Sequence, residues 1–400
     1  MSLLITSLNT FAQQVVTFEN AIGLSLKQHP DLKSYVYMKQ ASVGMIEQAG
    51  ISSPMALNVE VEDVVGTGRY SGISGMQTTL SISWLLEQSI IESRVNVANK
   101  QANIIEFKRE VKALDVAAET AKIFITLLSQ MEQVKLAKLA KVQSQKVLVK
   151  LAARVKAGKQ NIIDELRAKA DVSKKTLIVE DLEHEIEASK SQLAAQWQGE
   201  NEFIVDGSLL DIPTIIEVEA AYEKLTSNPK FKVFTSQQRI TTSEIELAKA
   251  NQKPVWSVNT GIRRNEAVDD FAFTAGVSIP FGTKNINRGQ IMALQAKQNQ
   301  GFAETDAWLK RISTQLLLLT HKLKHNRHVI EGLSIETIPL LEQASIKAGE
   351  AYSIGSYRYS DWYIVQQELV ASQKELIAAY TNIHLLNIEL ERLTGSSISM

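Results

Sequence analysis

Between Leu85 and Ala157 the chain contains neither proline nor glycine, and the run halts at Gly158, six residues before Asp164. A helix of about 70 residues is roughly 105 Å long, far beyond the width of a globular domain. The 400 residues therefore do not divide into compact domains in the usual way. Directly before this run, residues 76–84 alternate, with Leu80, Ile82 and Trp84 set against Thr79, Ser81 and Ser83. One element thus joins a strand of membrane-crossing type to a very long rod that ends in a tight reversal.

The same element occurs twice. Asn228-Pro229 echoes His29-Pro30, Pro254 answers Pro54, and Gly355…Asp361 repeats Gly158…Asp164. These pairs all lie about 200 residues apart, which marks a duplicated half. In residues 56–65, Leu57, Val59 and Val61 alternate with Asn58, Glu60 and Glu62. The second half supplies two further alternating runs, one from Trp256 to Arg263 and one from Phe271 to Phe281. The remainder reads as helix: 16–26, 31–48, a return from the first turn to Trp197, 213–250, 287–353 with a bend at Pro339, and 361–393. A coiled-coil seam is expected at Val111, Leu114, Ala118, Ala121, Ile125 and Leu128, and a second from Leu369 to Leu393. The rods match in length, each half supplying one continuous rod and two half-rods that together reach about 110 Å.

Composition removes several classes. A net charge of −1 offers no basic excess for nucleic acid. The absence of cysteine excludes disulfides, Cys-based metal sites and a lipidated N-terminal Cys. No Ser–His–Asp set, H-E-x-x-H or Walker sequence occurs, so an enzyme is not expected. Residues 1–14 read as the tail of a secretory signal or as a frayed start. No run of 18 apolar residues exists, which leaves a β-barrel as the route into a membrane. Four strands of about ten residues cannot close, and small outer-membrane barrels start at about eight strands. The chain must therefore pool strands with copies of itself, unless the strands form a soluble β-layer. Trp84, Trp256 and Phe281 sit at one end of the strands, as an aromatic girdle would.

From Val16 to Gly395 the chain resembles the TolC-type outer-membrane efflux channels. The resemblance is carried by T-F-E-N-A-I-G-L-S-L-K-Q-H-P-D-L, V-S-I-P-F-G-T-K-N-I-N-R-G-Q-I-M-A-L-Q-A and the two Gly-x5-Asp turns. Within that family it is most similar to the outer-membrane subunits of cobalt–zinc–cadmium (heavy-metal) resistance–nodulation–division systems, through N-V-E-V-E-D-V-V-G-T-G and the ending I-E-L-E-R-L-T-G. His29 departs from the Asn that is usual before the proline, and the segment after Ile279-Pro280 is short. The resemblance implies a mainly α chain whose four strands join a trimeric 12-strand barrel, above a long α-helical coiled-coil tunnel. It further implies the outer membrane of a Gram-negative bacterium, a homotrimer, outer-membrane lipid, a periplasmic adaptor (membrane fusion) protein and an inner-membrane pump. It implies no catalysis and no cofactor. The expected organisation is a start at 1–14, an equatorial segment at 15–53, a barrel hairpin at 54–86 and a helical hairpin at 87–197 with its tip at 158–164. The second half follows as 198–228 (equatorial), 229–253 (helix), 254–283 (barrel hairpin), 284–395 with its tip at 355–361, and a tail at 396–400.

Three groups of residues are candidates for function. Gly158, Asp164, Gly355, Arg358 and Asp361 read as a periplasmic gate and adaptor contact, against simple helix capping. Glu60, Glu62 and Asp63 read as cation-favouring lumen residues, against ordinary polar filling. His321, His325 and His328 share one helix face and read as a metal relay, against a solvated polar face turned away from the seam Leu316, Leu319, Leu323, Ile330 and Leu333. The expected function is passive export of divalent metal cations. The alternatives are export of drugs or polypeptides by the same channel type, or a soluble coiled-coil interaction protein.

Overall fold

The structure is a computed structural model that describes residues 14–213, 218–282 and 285–400. Residues 1–13, where the signal remnant is expected, lie outside the described residues. The elements run β1 (Gln14–Val16), α1 (Phe18–Gln28), α2 (Pro30–Gly50), β2 (Ala56–Glu62), β3 (Gln77–Leu86), α3 (Gln88–Lys156), α4 (Ile162–Ala195) and β4 (Phe203–Val205). After them come α5 (Val218–Lys224), α6 (Pro229–Ala250), β5 (Trp256–Asn265), β6 (Asp270–Ser278), α7 (Arg288–Glu331), α8 (Ile338–Ile354) and α9 (Tyr359–Thr394). Two units are distinguished: described residues up to Ser34 with Arg109–Pro229 and Leu309–Met400, and Tyr35–Lys108 with Lys230–Trp308.

Duplication is visible in the backbone itself. Pro30 and Pro229 each stand first in a helix, where a missing N–H costs nothing. The residue before a proline is driven out of the α region. His29 accordingly has φ −58° and ψ 129°, and Asn228 has φ −58° and ψ 131°. The same effect corrects the helix expected over 213–250: α5 ends at Lys224, a 3₁₀ turn covers Leu225–Ser227, and α6 starts afresh at Pro229. Pro339 acts differently. A π-helical stretch, Gly332–Thr337, separates α7 from α8, and the Ile338 N–H donates to the Leu333 carbonyl. The wide turn absorbs the register change next to a residue that has no N–H to donate.

In the first unit, β1 pairs in parallel with β4, Val16 lying opposite Val205. This pairing takes Val16 from the helix expected at 16–26, and Thr17 caps α1 by accepting from the Asn20 N–H at 3.3 Å. The seam expected in α3 is too narrow between Val116 and Ser129, where Ile123, Phe124 and Leu127 are buried beside Ala118, Ala121 and Ile125. Phe18, Phe203, Val205 and Leu209 cover these additional faces, with Phe18 edge-on to Phe124 at 5.6 Å. Nearer the turns a second core gathers Leu151, Ala168, Tyr352, Tyr359 and Trp362.

The second unit carries a four-stranded antiparallel sheet in the order β2-β3-β5-β6. β3 extends to Leu86, past the expected end at 84, because Leu86 pairs with Trp256; β2 stops at Glu62 rather than 65, because its ladder ends at Gln77. Among the described residues no helix is long and apolar enough to cross a membrane.

Candidate functional site

The pairing register sorts the sheet into two faces. Val59, Leu80, Ile262 and Phe273 lie in one row across the four strands, and Leu57, Ile82, Thr260 and Ala275 in the next. Trp84, opposite Val258, and Trp256, opposite Leu86, belong to this same apolar face. Nothing among the described residues covers it: Phe273 is 86% exposed, and Leu57, Val59, Leu80, Ile262 and Val277 are all exposed. A contiguous exposed apolar face marks a surface that meets a partner or a membrane. Phe281, beyond the end of β6, is 94% exposed.

The opposite face is polar. Glu60, Thr79, Arg263 and Ala272 form one row, and Glu62, Gln77, Asn265 and Asp270 the next. Arg263 crosses β3 to reach Glu62 at 3.1 Å, donating on the way to the Thr79 hydroxyl at 3.0 Å and to the side-chain amide oxygen of Gln77 at 3.2 Å. Asp63 stands at the strand end with φ 56° and accepts from the Gln77 amide at 2.9 Å. Two of the three carboxylates expected to line a lumen thus have partners that sequence reasoning did not find.

The two turns share one construction. Gly158 (φ 71°) and Gly355 (φ 86°) end α3 and α8 in left-handed conformations. Three residues later come the caps Asn161 and Arg358, with nearly equal backbone angles; Asn161 accepts from the Ile163 N–H at 2.9 Å, whereas Arg358 makes no side-chain capping bond. Asp164 and Asp361 therefore lie in the first turns of α4 and α9 rather than at the caps, where a carboxylate still favours the positive end of the helix dipole. Asp164 accepts from the Gln160 amide at 2.5 Å, and Asp361 from the Ser360 hydroxyl at 3.0 Å. Arg358 is exposed and, among the described residues, makes no ion pair with either carboxylate. Arg154 joins the turns instead, donating to the carbonyls of Tyr352 and Ser353 with its guanidinium 4.8 Å from the Tyr352 ring centre.

Above the turns lies a polar knot that the sequence reading missed. Asp171 of α4 accepts from Ser144 of α3 at 2.7 Å and from Tyr363 of α9 at 3.0 Å, and pairs with Lys175 at 2.9 Å. Burial works to raise the Asp171 pKa, but the bonds from Ser144, Lys175 and Tyr363 outweigh it and hold the carboxyl below the usual range. Burial also pushes the Tyr359 phenol up to about 12, with the Asp171 charge adding to it. These partners come from three helices, so no local spacing signals them.

His321, His325 and His328 are exposed on α7, on the side away from Leu316, Leu319, Leu323, Ile330 and Leu333, which are buried. Among the described residues no group of three His, Cys, Asp or Glu side chains is placed to hold a metal ion.

No family model matches the chain, and no curated protein matches it by sequence. Solved structures do match. A membrane protein from Pseudomonas aeruginosa superposes with a TM-score of 0.79 at 12% identity, over 95% of this chain and 90% of the other. The chain has the fold of this protein. The outer membrane protein VceC from Vibrio cholerae matches with a TM-score of 0.77 at 15% identity, over 96% of this chain and 97% of VceC. CusC, which forms a transmembrane channel, matches with a TM-score of 0.75 at 13% identity, over 95% of this chain and 92% of CusC. At such identities the likeness concerns the path of the backbone, and what this chain does must be argued from its own residues.

Proposed function

We propose that the chain is one subunit of a passive outer-membrane channel that exports divalent heavy-metal cations as the outermost part of a tripartite efflux system. The supporting observation is the β2-β3-β5-β6 sheet, apolar and uncovered on one face and polar on the other. That is the pattern of a barrel wall between lipid and water. Strands β2 and β6 are open edges, and in lipid an unpaired backbone group costs several kcal/mol. Pairing β6 of one copy with β2 of the next removes both edges, and three copies make twelve strands, an even number of the kind such barrels use. The helices form the periplasmic tunnel. Gly158, Asp164, Gly355, Arg358 and Asp361 form its gate and the contact for the adaptor, which links it to an inner-membrane pump. Metal cations are favoured by the resemblance around residues 58–68 and by the excess of carboxylates over Arg263 on and beside the polar face, where Glu60, Glu62 and Asp63 lie. Drug or polypeptide export through the same duct is the second reading. A soluble coiled-coil interaction protein accounts for the rods but gives no role to a sheet that is apolar on one face and polar on the other.

A strain lacking the gene is expected to become sensitive to zinc, cobalt or cadmium, and the protein to fractionate with the outer membrane as a trimer in detergent. Unchanged metal tolerance with new drug sensitivity would move the substrate to the second reading. A monomer that stays in the aqueous fraction would end the channel reading altogether.

A further inference from the structure

Charge on the polar face of the sheet is confined to one end. The rows that begin at Ala56 and Asn58 carry only small or neutral side chains, whereas the two rows beside the β2–β3 and β5–β6 connections hold Glu60, Glu62, Asp270 and Arg263. Arg263 is the one cation in these rows, and it is not loose. Its guanidinium is tied to Glu62, Gln77 and Thr79, and it lies over Thr79, which is only 6% exposed. Glu60 lies two strands from Arg263 in the same row, about 10 Å away at ordinary strand spacing, and neither Glu60 nor Asp270 makes an ion pair among the described residues.

We propose that Arg263 sets the ion selectivity of the channel lumen: it cancels Glu62 and leaves Glu60 and Asp270 as a moderate cation-attracting ring. The proposal rests on the channel reading above, which turns the polar face toward water in every copy. A fixed positive charge in each wall repels cations and attracts anions at the same level of the pore. Removing it frees Glu62 and adds one negative charge per copy. The neighbouring Arg264 provides the control. It faces the apolar side, where it pairs with Glu266 at 2.8 Å and Asp269 at 2.7 Å, with its guanidinium 5.1 Å from the Phe271 ring centre.

The test is the reversal potential of the full-length channel in planar bilayers under a potassium chloride gradient. At about 0.1 M salt, R263Q is expected to raise the cation-to-anion permeability ratio about two- to fourfold, and near 1 M, where screening acts within about 3 Å, the change should shrink. E62Q leaves Arg263 uncompensated and is expected to lower the ratio, while R264Q leaves it as in the wild type. Because the first two variants act with opposite signs, E62Q decides alone if R263Q does not assemble. Equal shifts for R263Q and R264Q, or no shift in either R263Q or E62Q, would overturn the assignment. A wild-type protein that forms no conductance refutes the channel reading itself, and the assignment falls with it.

Discussion

Asp171 shows how a single side chain ties three helices together. Its carboxylate accepts from Ser144 and Tyr363 and pairs with Lys175, so its folded pKa lies below that of the unfolded chain. A depressed carboxyl pKa contributes stability that is complete above the unfolded value, about 3.9, and is lost as pH falls through the lower folded value. Asp171→Asn keeps the shape but not the charge, and bonds to charged groups contribute about 1.5–3 kcal/mol. The variant should therefore melt lower than wild type at neutral pH, and the gap should close as pH drops below 4 or so. Thermal unfolding followed by circular dichroism measures this; parallel pH curves would refute the role. Gly355 makes a different demand. At φ 86° a Cβ costs about 1–2 kcal/mol, so Gly355→Ala should loosen the turn at 352–361, seen as faster amide exchange there.

At the scale of elements, the helices near the turns are held by an aromatic core rather than by a uniform heptad seam. Trp362 of α9 is 5% exposed and stacks on Tyr352 of α8 at 5.2 Å. Truncation of a buried aromatic of this size costs about 3–5 kcal/mol. Trp362→Ala is thus expected to produce a marked fall in melting temperature, whereas the exposed Ile364→Ala, two residues along, should cost little. In the sheet, Gly261 of β5 lies opposite Ser81 of β3, and a Cβ there would run into the Leu80 carbonyl and the Ser81 side chain. Gly261→Ala should therefore disturb the central β3–β5 pairing and, where copies pool their strands as proposed, lower the yield of detergent-stable oligomer on a native gel; an unchanged yield would show that the strands shift to admit the methyl.

For the whole molecule, the decisive contrast is between the two faces of one strand. Phe273 and Ala272 are neighbours on β6, but Phe273 lies on the uncovered apolar face and Ala272 in the row with Glu60, Thr79 and Arg263. An arginine on a lipid face costs about 2–4 kcal/mol per copy near the middle of the bilayer. On the proposed channel reading, Phe273→Arg is expected to fail to insert and to accumulate outside the outer-membrane fraction, while Ala272→Arg inserts with altered conductance. Equal insertion of the two would mean that the apolar face does not meet lipid.

Local spacing carried much of this protein in legible form. The period of two marked all four sheet strands; the pairs His29-Pro30 and Asn228-Pro229, and Gly158 and Gly355, marked the duplication, because proline and left-handed glycine act on the backbone whatever surrounds them. The faces of β2 and the side of α7 on which the histidines lie followed from periodicity alone. Partners distant in sequence were beyond that kind of reading. The parallel pairing of Val16 with Val205, the burial of α3 on nearly every side around Phe124, the knot at Asp171 and the reach of Arg263 to Glu62 join residues that only packing brings together. Periodicity states which side of an element is apolar; which neighbour satisfies a polar group is decided by the tertiary fold, since a hydrogen bond depends on separation in space and not along the chain.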